Sequence, residues 1–271
     1  MEHKQNLHTH STFCDGVNTP REMINIAIDK GFASIGFSEH SPMYYSPSYG
    51  MSPENTQLYI EEIFRLKKEY EGKFDVFCGI EYDVYSDVDL TPYEYVIASL
   101  HYLQIDGKFV GIDRSAAEVE KVIHEYFHGD GLKYAQYYYE HLAKLPEYGK
   151  FDIIAHFDIV AKQCENTKLL NTDDKKYIGL AVEAAEALVG KIPLFEVNTG
   201  CISRGYRTTP YPTIPILKEL NRLGFGAVIS SDCHDGKALD CYFNESYELL
   251  KHCGFQEYYI LTNTGFQPVK L

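Results

Sequence analysis

Asn6-Leu7-His8-Thr9-His10-Ser11 is the stretch that decides the fold. Alternating side chains of a strand point to opposite faces, so His8 and His10 share one face. A His-x-His at the end of a short strand can therefore grip one ion. The same punctuation recurs along the chain. Short β-like runs end in Ser38-Glu39-His40, Gly79-Ile80-Glu81, Ser99-Leu100-His101, Ile154-Ala155-His156 and Ser231-Asp232-Cys233-His234. In a parallel barrel the carboxyl ends of all strands meet at one face, so residues far apart in sequence converge there.

Working outward, the strand-like runs are residues 6–9, 33–38, 74–80, 95–100, 152–155, 194–197 and 227–230, with a last short run at 258–261. Helical patterns lie between them. Thr19-Pro20-Arg21-Glu22 reads as a capping box with Pro at the first helical position, and Gly31 closes that helix. Ser52-Pro53-Glu54 opens an amphipathic helix to about Tyr70. Further helices are expected over 115–127, 132–145, 176–189, 213–223 and 244–252. Strand–helix alternation predicts an α/β fold with a parallel sheet. Seven such units without a linker predict one closed or nearly closed barrel domain over residues 1–271.

Hydrophobic residues make up 45% of the 271-residue chain, enough for a sizeable core, and 23 Tyr and 15 Phe replace the absent Trp. A net charge of −14 disfavours broad nucleic-acid binding. It does not bar a small anion if metals reverse the local field. Seven Cys with no C-x-x-C pair argue against a disulfide framework and suit a reducing cytoplasm. The polar N-terminus has no apolar signal core, and no run approaches a membrane span.

Of the eleven His, five (His3, His124, His128, His141 and His252) read as ordinary surface or helix residues. The other six end strands, and Glu81 and Asp232 share that position. Any one strand-end His, taken alone, is more often a hydrogen-bonded core residue than a ligand. The set of eight is what carries the reading. Imidazole with carboxylate suits Zn, Mn or Fe rather than Ca or Mg.

His8-Thr9-His10-Ser11, Asp15-Gly16, Ser38-Glu39-His40, Gly79-Ile80-Glu81, Ser99-Leu100-His101, Ala155-His156-Phe157-Asp158 and Ser231-Asp232-Cys233-His234 together resemble the polymerase-and-histidinol-phosphatase (PHP) superfamily. Their order and spacing are most similar to its monofunctional histidinol-phosphate phosphatases. The resemblance implies a distorted (βα)7 TIM-like barrel with a metal site at the C-terminal ends of the strands. It also implies three divalent ions. The first would take His8, His10, Glu81 and Asp232. The second would take a bridging Glu81, His101 and His156, and the third Asp15, His40 and His234. From spacing alone, Asp15-Gly16 reads only as a turn.

Phosphate monoesters hydrolyse extremely slowly in water. Clustered divalent ions lower the pKa of a bridging water towards ~7 and clamp the attacking and leaving oxygens. The resemblance implies that this hydroxide attacks L-histidinol phosphate, giving L-histidinol and phosphate. Glu81 would bridge, and Asp232 or His234 would help move the proton to the leaving group. Only six Arg are present, and two, Arg204 and Arg207, lie in the loop after the sixth strand. Arg offers a planar fork to phosphate oxygens. In the resembled phosphatases a basic residue of this loop binds phosphate, and Lys162 is a further candidate. Glu39, Asp83 and Asp158 are available for the substrate's ammonium, and Glu39 could instead orient a metal-bound His. The competing readings are a related phosphoesterase acting on a nucleotide or nucleic-acid end, a zinc amidohydrolase with one or two metals, and a non-catalytic metal-binding barrel. The expected partner is a small phosphate ester, with no nucleic acid or membrane; the oligomeric state stays open.

Overall fold

The computed structural model describes residues 3–271. Strand β1 (Gln5–Asn6) leads through helix α1 (Pro20–Asp29) to β2 (Ser34–Phe37), and helix α2 (Pro53–Glu69) leads to β3 (Asp75–Asp83). Next come β4 (Tyr95–Ser99), an excursion of β5 (Tyr102–Ile105) and β6 (Lys108–Gly111), and helices α3 (Ala116–Phe127) and α4 (Gly131–Leu142). The second half runs β7 (Ile153–Ile154), α5 (Lys175–Leu188), β8 (Leu194–Asn198), the short α6 (Gly200–Ser203), α7 (Ile214–Arg222), β9 (Gly226–Ser230) and α8 (Phe243–His252). Two final strands, β10 (Glu257–Thr262) and β11 (Gly265–Lys270), close the chain.

β1, β2, β3, β4, β7, β8 and β9 form one sheet in that order, every pairing parallel. Across the seam, a parallel bridge joins Thr9 to Cys233, and the His10 amide donates to the Cys233 carbonyl at 3.0 Å. The result is a nearly closed seven-stranded barrel. The expected capping box at α1 is present: the Thr19 side chain accepts from the Glu22 amide, and the Glu22 carboxylate accepts from the Thr19 amide.

The barrel interior is filled by Leu7, Phe77, Tyr95, Ile97, Ile153, Ala155, Leu194 and Val228, closed off by Leu261. Tyr95 fixes the register of this layer. Its hydroxyl donates to the Leu7 carbonyl at 2.5 Å and the Phe37 carbonyl at 3.0 Å. Gly36 and Gly79 make room for it: a methyl group at Gly79 would lie 2.2 Å from its ring. Outside the strands, the apolar faces of the helices pack into a second, larger cluster.

Two features differ from the sequence reading. The run at 258–261 is not a barrel strand; β10 pairs antiparallel with β11. Residues 102–111, unassigned above, form the β5–β6 hairpin. Its turn is Asp106-Gly107, with φ of 50° and 74°, the left-handed pair that a two-residue hairpin requires. No helix among the described residues is long and apolar enough to cross a membrane.

Candidate metal centre

Each strand delivers its polar residue to the same end of the barrel. Glu81, buried in β3, lies at the centre. Its Oε2 is 3.3 Å from His8 Nε2, 3.7 Å from His10 Nε2 and 2.6 Å from His40 Nδ1. Its Oε1 is 3.3 Å from His101 Nε2 and 3.0 Å from His156 Nε2. Asp232 Oδ1 faces His10 Nε2 at 3.4 Å and His8 Nε2 at 3.8 Å. Asp15 Oδ1 lies 3.2 Å from His234 Nε2 and 3.7 Å from His40 Nε2. All nine sequence-derived ligand candidates thus meet in one cluster at the carboxyl ends of the strands. The turn reading of Asp15-Gly16 also holds: the Gly16 amide donates to the Ser11 carbonyl at 2.9 Å. A methyl at Gly16 would lie 2.5 Å from the His10 carbonyl oxygen.

The donor set suits cations. The Nε2 atoms of His8, His10 and His40 are buried without hydrogen-bond partners, a costly state for polar atoms unless something binds them. Four overlapping groups bring donor atoms within 4.8 Å of one another: His10, Asp15, His40 and His234; His8, His10 and Asp232; His10, Cys14 and Glu39; and His40, Glu81 and His101. The grouping overlaps more than the three sets expected above, which shared only Glu81, because His10 stands in three groups and His40 in two. The rings stack accordingly, His10 lying 4.2 Å from His40 and 4.1 Å from His234.

Electrostatics points the same way. Burial favours a neutral Glu81, but His40, His8 and His101 outweigh it and hold the carboxyl well below its ordinary range. Burial is likewise overcome at Asp232, chiefly by Arg204 and His8. Burial and the neighbouring His234 and His40 push His10 down to about 3, leaving it a neutral donor. Asp232 adopts φ of 47°, a left-handed conformation that Asp tolerates better than most residues.

A supporting layer orients these groups. Glu196, in the middle of β8, accepts from His8 Nδ1 at 2.8 Å, Ser230 Oγ at 2.6 Å, the His156 amide at 2.7 Å and Asn198 Nδ2 at 2.8 Å. Sequence reasoning missed it, although a glutamate inside a buried strand is itself a signal, since such an acid needs partners. Asp83 accepts from the His101 amide at 3.0 Å and from the Tyr45 hydroxyl. Glu39 accepts from the Ser11 amide at 3.0 Å and the Cys14 thiol at 2.7 Å, and Cys14 Sγ lies 3.4 Å from His10 Nδ1. It braces the loop that carries His10 and Asp15.

Above the cluster is a cavity of about 290 Å³, lined by Asp15, His40, Tyr49, His101, Asp113, Ile159, Lys162, Arg204, Asp232 and His234. Arg204 donates to the Asp232 carbonyl at 2.8 Å and to Asp232 Oδ2 at 3.0 Å. Gly200 leaves space for its guanidinium, since a Cβ there would lie 2.6 Å from Nη2. Lys162 donates to Asp113 and sits 4.1 Å over the Tyr206 ring. Burial is outweighed at Asp113 by Lys162 and His101, which hold its carboxyl below the ordinary range. Arg207 is elsewhere: it is buried 3.6 Å from Asp158 and 4.8 Å over Tyr211, away from the cavity wall.

Residues 6–200 match the PHP domain. The chain is 26% identical to a probable histidinol-phosphatase of Deinococcus radiodurans, over 91% of this chain and 92% of that one. It is 27% identical to the histidinol-phosphatase of Bacillus subtilis, over 85% and 93%. Its fold is similar to that of the Lactococcus lactis histidinol phosphate phosphatase complexed with zinc, L-histidinol and phosphate. The TM-score is 0.74 at 21% identity, covering 97% of this chain and 98% of that one. With a PHP domain matched over most of its length and the barrel and histidine–carboxylate cluster in place, this chain belongs to the PHP domain family.

Proposed function

We propose that the protein is a metal-dependent phosphomonoesterase that hydrolyses L-histidinol phosphate to L-histidinol and inorganic phosphate. The observation that carries this reading is Glu81, with histidines that follow β1, β2, β4 and β7 within 3.7 Å of its two oxygens, beneath a cavity lined by Arg204 and Lys162. The similar histidinol-phosphatases and the complex with zinc, L-histidinol and phosphate support the substrate.

Three divalent ions, Zn, Mn or Fe, would be held by His8, His10, Glu81 and Asp232, by Glu81, His101 and His156, and by Asp15, His40 and His234. Bound there, such ions supply Lewis acidity that acidifies water at neutral pH and neutralises phosphoryl charge. The chain does the rest. Arg204 and Lys162 bind the phosphoryl oxygens and orient the ester, Arg204 through a planar fork already fixed by Asp232. Arg207, paired with Asp158, braces the Arg204 loop from below. The oxygen of water forms the new P–O bond as the ester P–O bond breaks. The proton that the water loses passes by way of the Asp232–His234 pair, whose His234 side chain is 26% exposed and faces the cavity, to the leaving alkoxide.

The test is turnover of purified enzyme, loaded with Mn or Zn, on a panel of phosphate esters. The reading expects L-histidinol phosphate to lead by at least an order of magnitude in kcat/KM. Equal rates on nucleotides and generic esters would remove the substrate and leave a general phosphoesterase.

A further inference from the structure

The three acids that sequence reasoning offered to the substrate's ammonium are all engaged elsewhere. Glu39 holds Ser11 and Cys14, Asp83 holds His101 and Tyr45, and Asp158 is paired with Arg207. None lines the cavity. Of the three acids that do, Asp15 and Asp232 face the histidine cluster, and the third, Asp113, belongs to none of the metal-binding groups. The β5–β6 hairpin folds it back over the site: the Ile112 amide donates to the His101 carbonyl at 2.9 Å, which sets Asp113 beside His101. Asp113 also lines a small recess with Tyr49, His101, Tyr102 and Arg114 that adjoins the cavity. Tyr49 forms a wall between the two, stacked on His40 at 4.3 Å and edge-on to His101 at 5.6 Å.

Lys162 and Asp113 are thus an adjacent cation and anion in the cavity wall, with side chains 8% and 22% exposed. A phosphate ester with an amine on the neighbouring carbon carries an adjacent anion and cation of its own. Laid antiparallel, the two pairs exchange partners with no change in net charge and no uncompensated buried ion. An ester lacking the amine would take Lys162 and leave Asp113 unpaired, which costs affinity. We propose that Asp113 is the specificity-determining residue that binds the amino group of a vicinal aminoalkyl phosphate, while Lys162 passes from Asp113 to the phosphoryl oxygens. This rests on the phosphatase reading above and adds the residue that selects for the amine.

The experiment compares kcat/KM of the metal-loaded enzyme on two substrate pairs: L-histidinol phosphate against its analogue with hydrogen in place of the amino group, and 2-aminoethyl phosphate against ethyl phosphate. Wild type should prefer the amine in both pairs. Asp113→Asn should shrink that preference by about 10- to 100-fold, the worth of a hydrogen bond between charged groups. Asp113→Glu should keep most of it. Calorimetric affinity for L-histidinol should weaken in parallel in Asp113→Asn, and thermal unfolding checks that each variant folds. A preference unchanged in Asp113→Asn while all rates fall together would overturn the inference, making Asp113 a support for Lys162 only. So would the absence of an amine preference in wild type. A wild type inactive on L-histidinol phosphate that still prefers 2-aminoethyl over ethyl phosphate would overturn the substrate reading and leave this inference standing.

Discussion

Glu196→Gln isolates the layer behind the metal ligands with a change of one atom. The carboxylate accepts four hydrogen bonds, two on each oxygen: His8 Nδ1 and Ser230 on Oε2, and the His156 amide and Asn198 on Oε1. Burial opposes its charge, but His8 outweighs burial and keeps it ionised. With His8 Nδ1 donating to Glu196, the lone pair of Nε2 is aimed at Glu81 and Asp232. A glutamine amide nitrogen must replace one of the two oxygens, and in either orientation it meets two donors. One orientation disturbs the tautomer of His8; the other loosens the His156 backbone. Changing such a partner of a metal-binding histidine costs about 10- to 100-fold in metal affinity or activity, or about 1.4–2.7 kcal/mol. The assay is metal content by mass spectrometry after dialysis against buffered free Zn or Mn, together with kcat/KM. Affinity and activity within twofold of wild type, in a variant of unchanged Tm, would refute the claim that Glu196 orients the cluster.

Other outcomes follow from the same geometry. Arg207→Met leaves Asp158 buried without its partner and should cost about 3–5 kcal/mol in urea unfolding, with Arg207→Lys recovering part of it; an unchanged midpoint would show that the pair braces nothing. Arg204→Met should reduce kcat/KM at least tenfold while metal content stays within twofold, and parallel loss of metal would instead make Arg204 a prop for Asp232. Gly79→Ala drives a methyl into the Tyr95 ring and should destabilise by about 1–3 kcal/mol or more, read as a lower Tm. Chelation should abolish hydrolysis and lower Tm, and metal restored at ~100 times its Kd should return about 2.7 kcal/mol of stability.

The barrel was legible because its signals are local. His8-x-His10, the capping box at Thr19 and the strand–helix alternation each depend on neighbours in sequence, and each lies where it was expected. The carboxyl-end rule then carried residues as distant as His8 and Asp232 to one face. Arg204 and Arg207 show where this stops. They are three residues apart in one loop and equally basic. Yet α6 and the turn after it send Arg204 to Asp232 and Arg207 into the core beside Asp158. Which side of a short loop a side chain takes is set by tertiary packing. Glu196 and Asp113 went unseen for a related reason: one supports the histidines from behind, and the other reaches the site on a hairpin whose Asp106-Gly107 turn was legible but unread.

The central claim is that one buried glutamate organises several cations at the barrel mouth. Anomalous scattering from crystals grown with Mn or Zn tests it most directly. Three peaks should appear: one among His8, His10, Glu81 and Asp232, one among Glu81, His101 and His156, and one among Asp15, His40 and His234. A data set showing metal only at sites remote from Glu81, or none at the strand ends, would contradict the account.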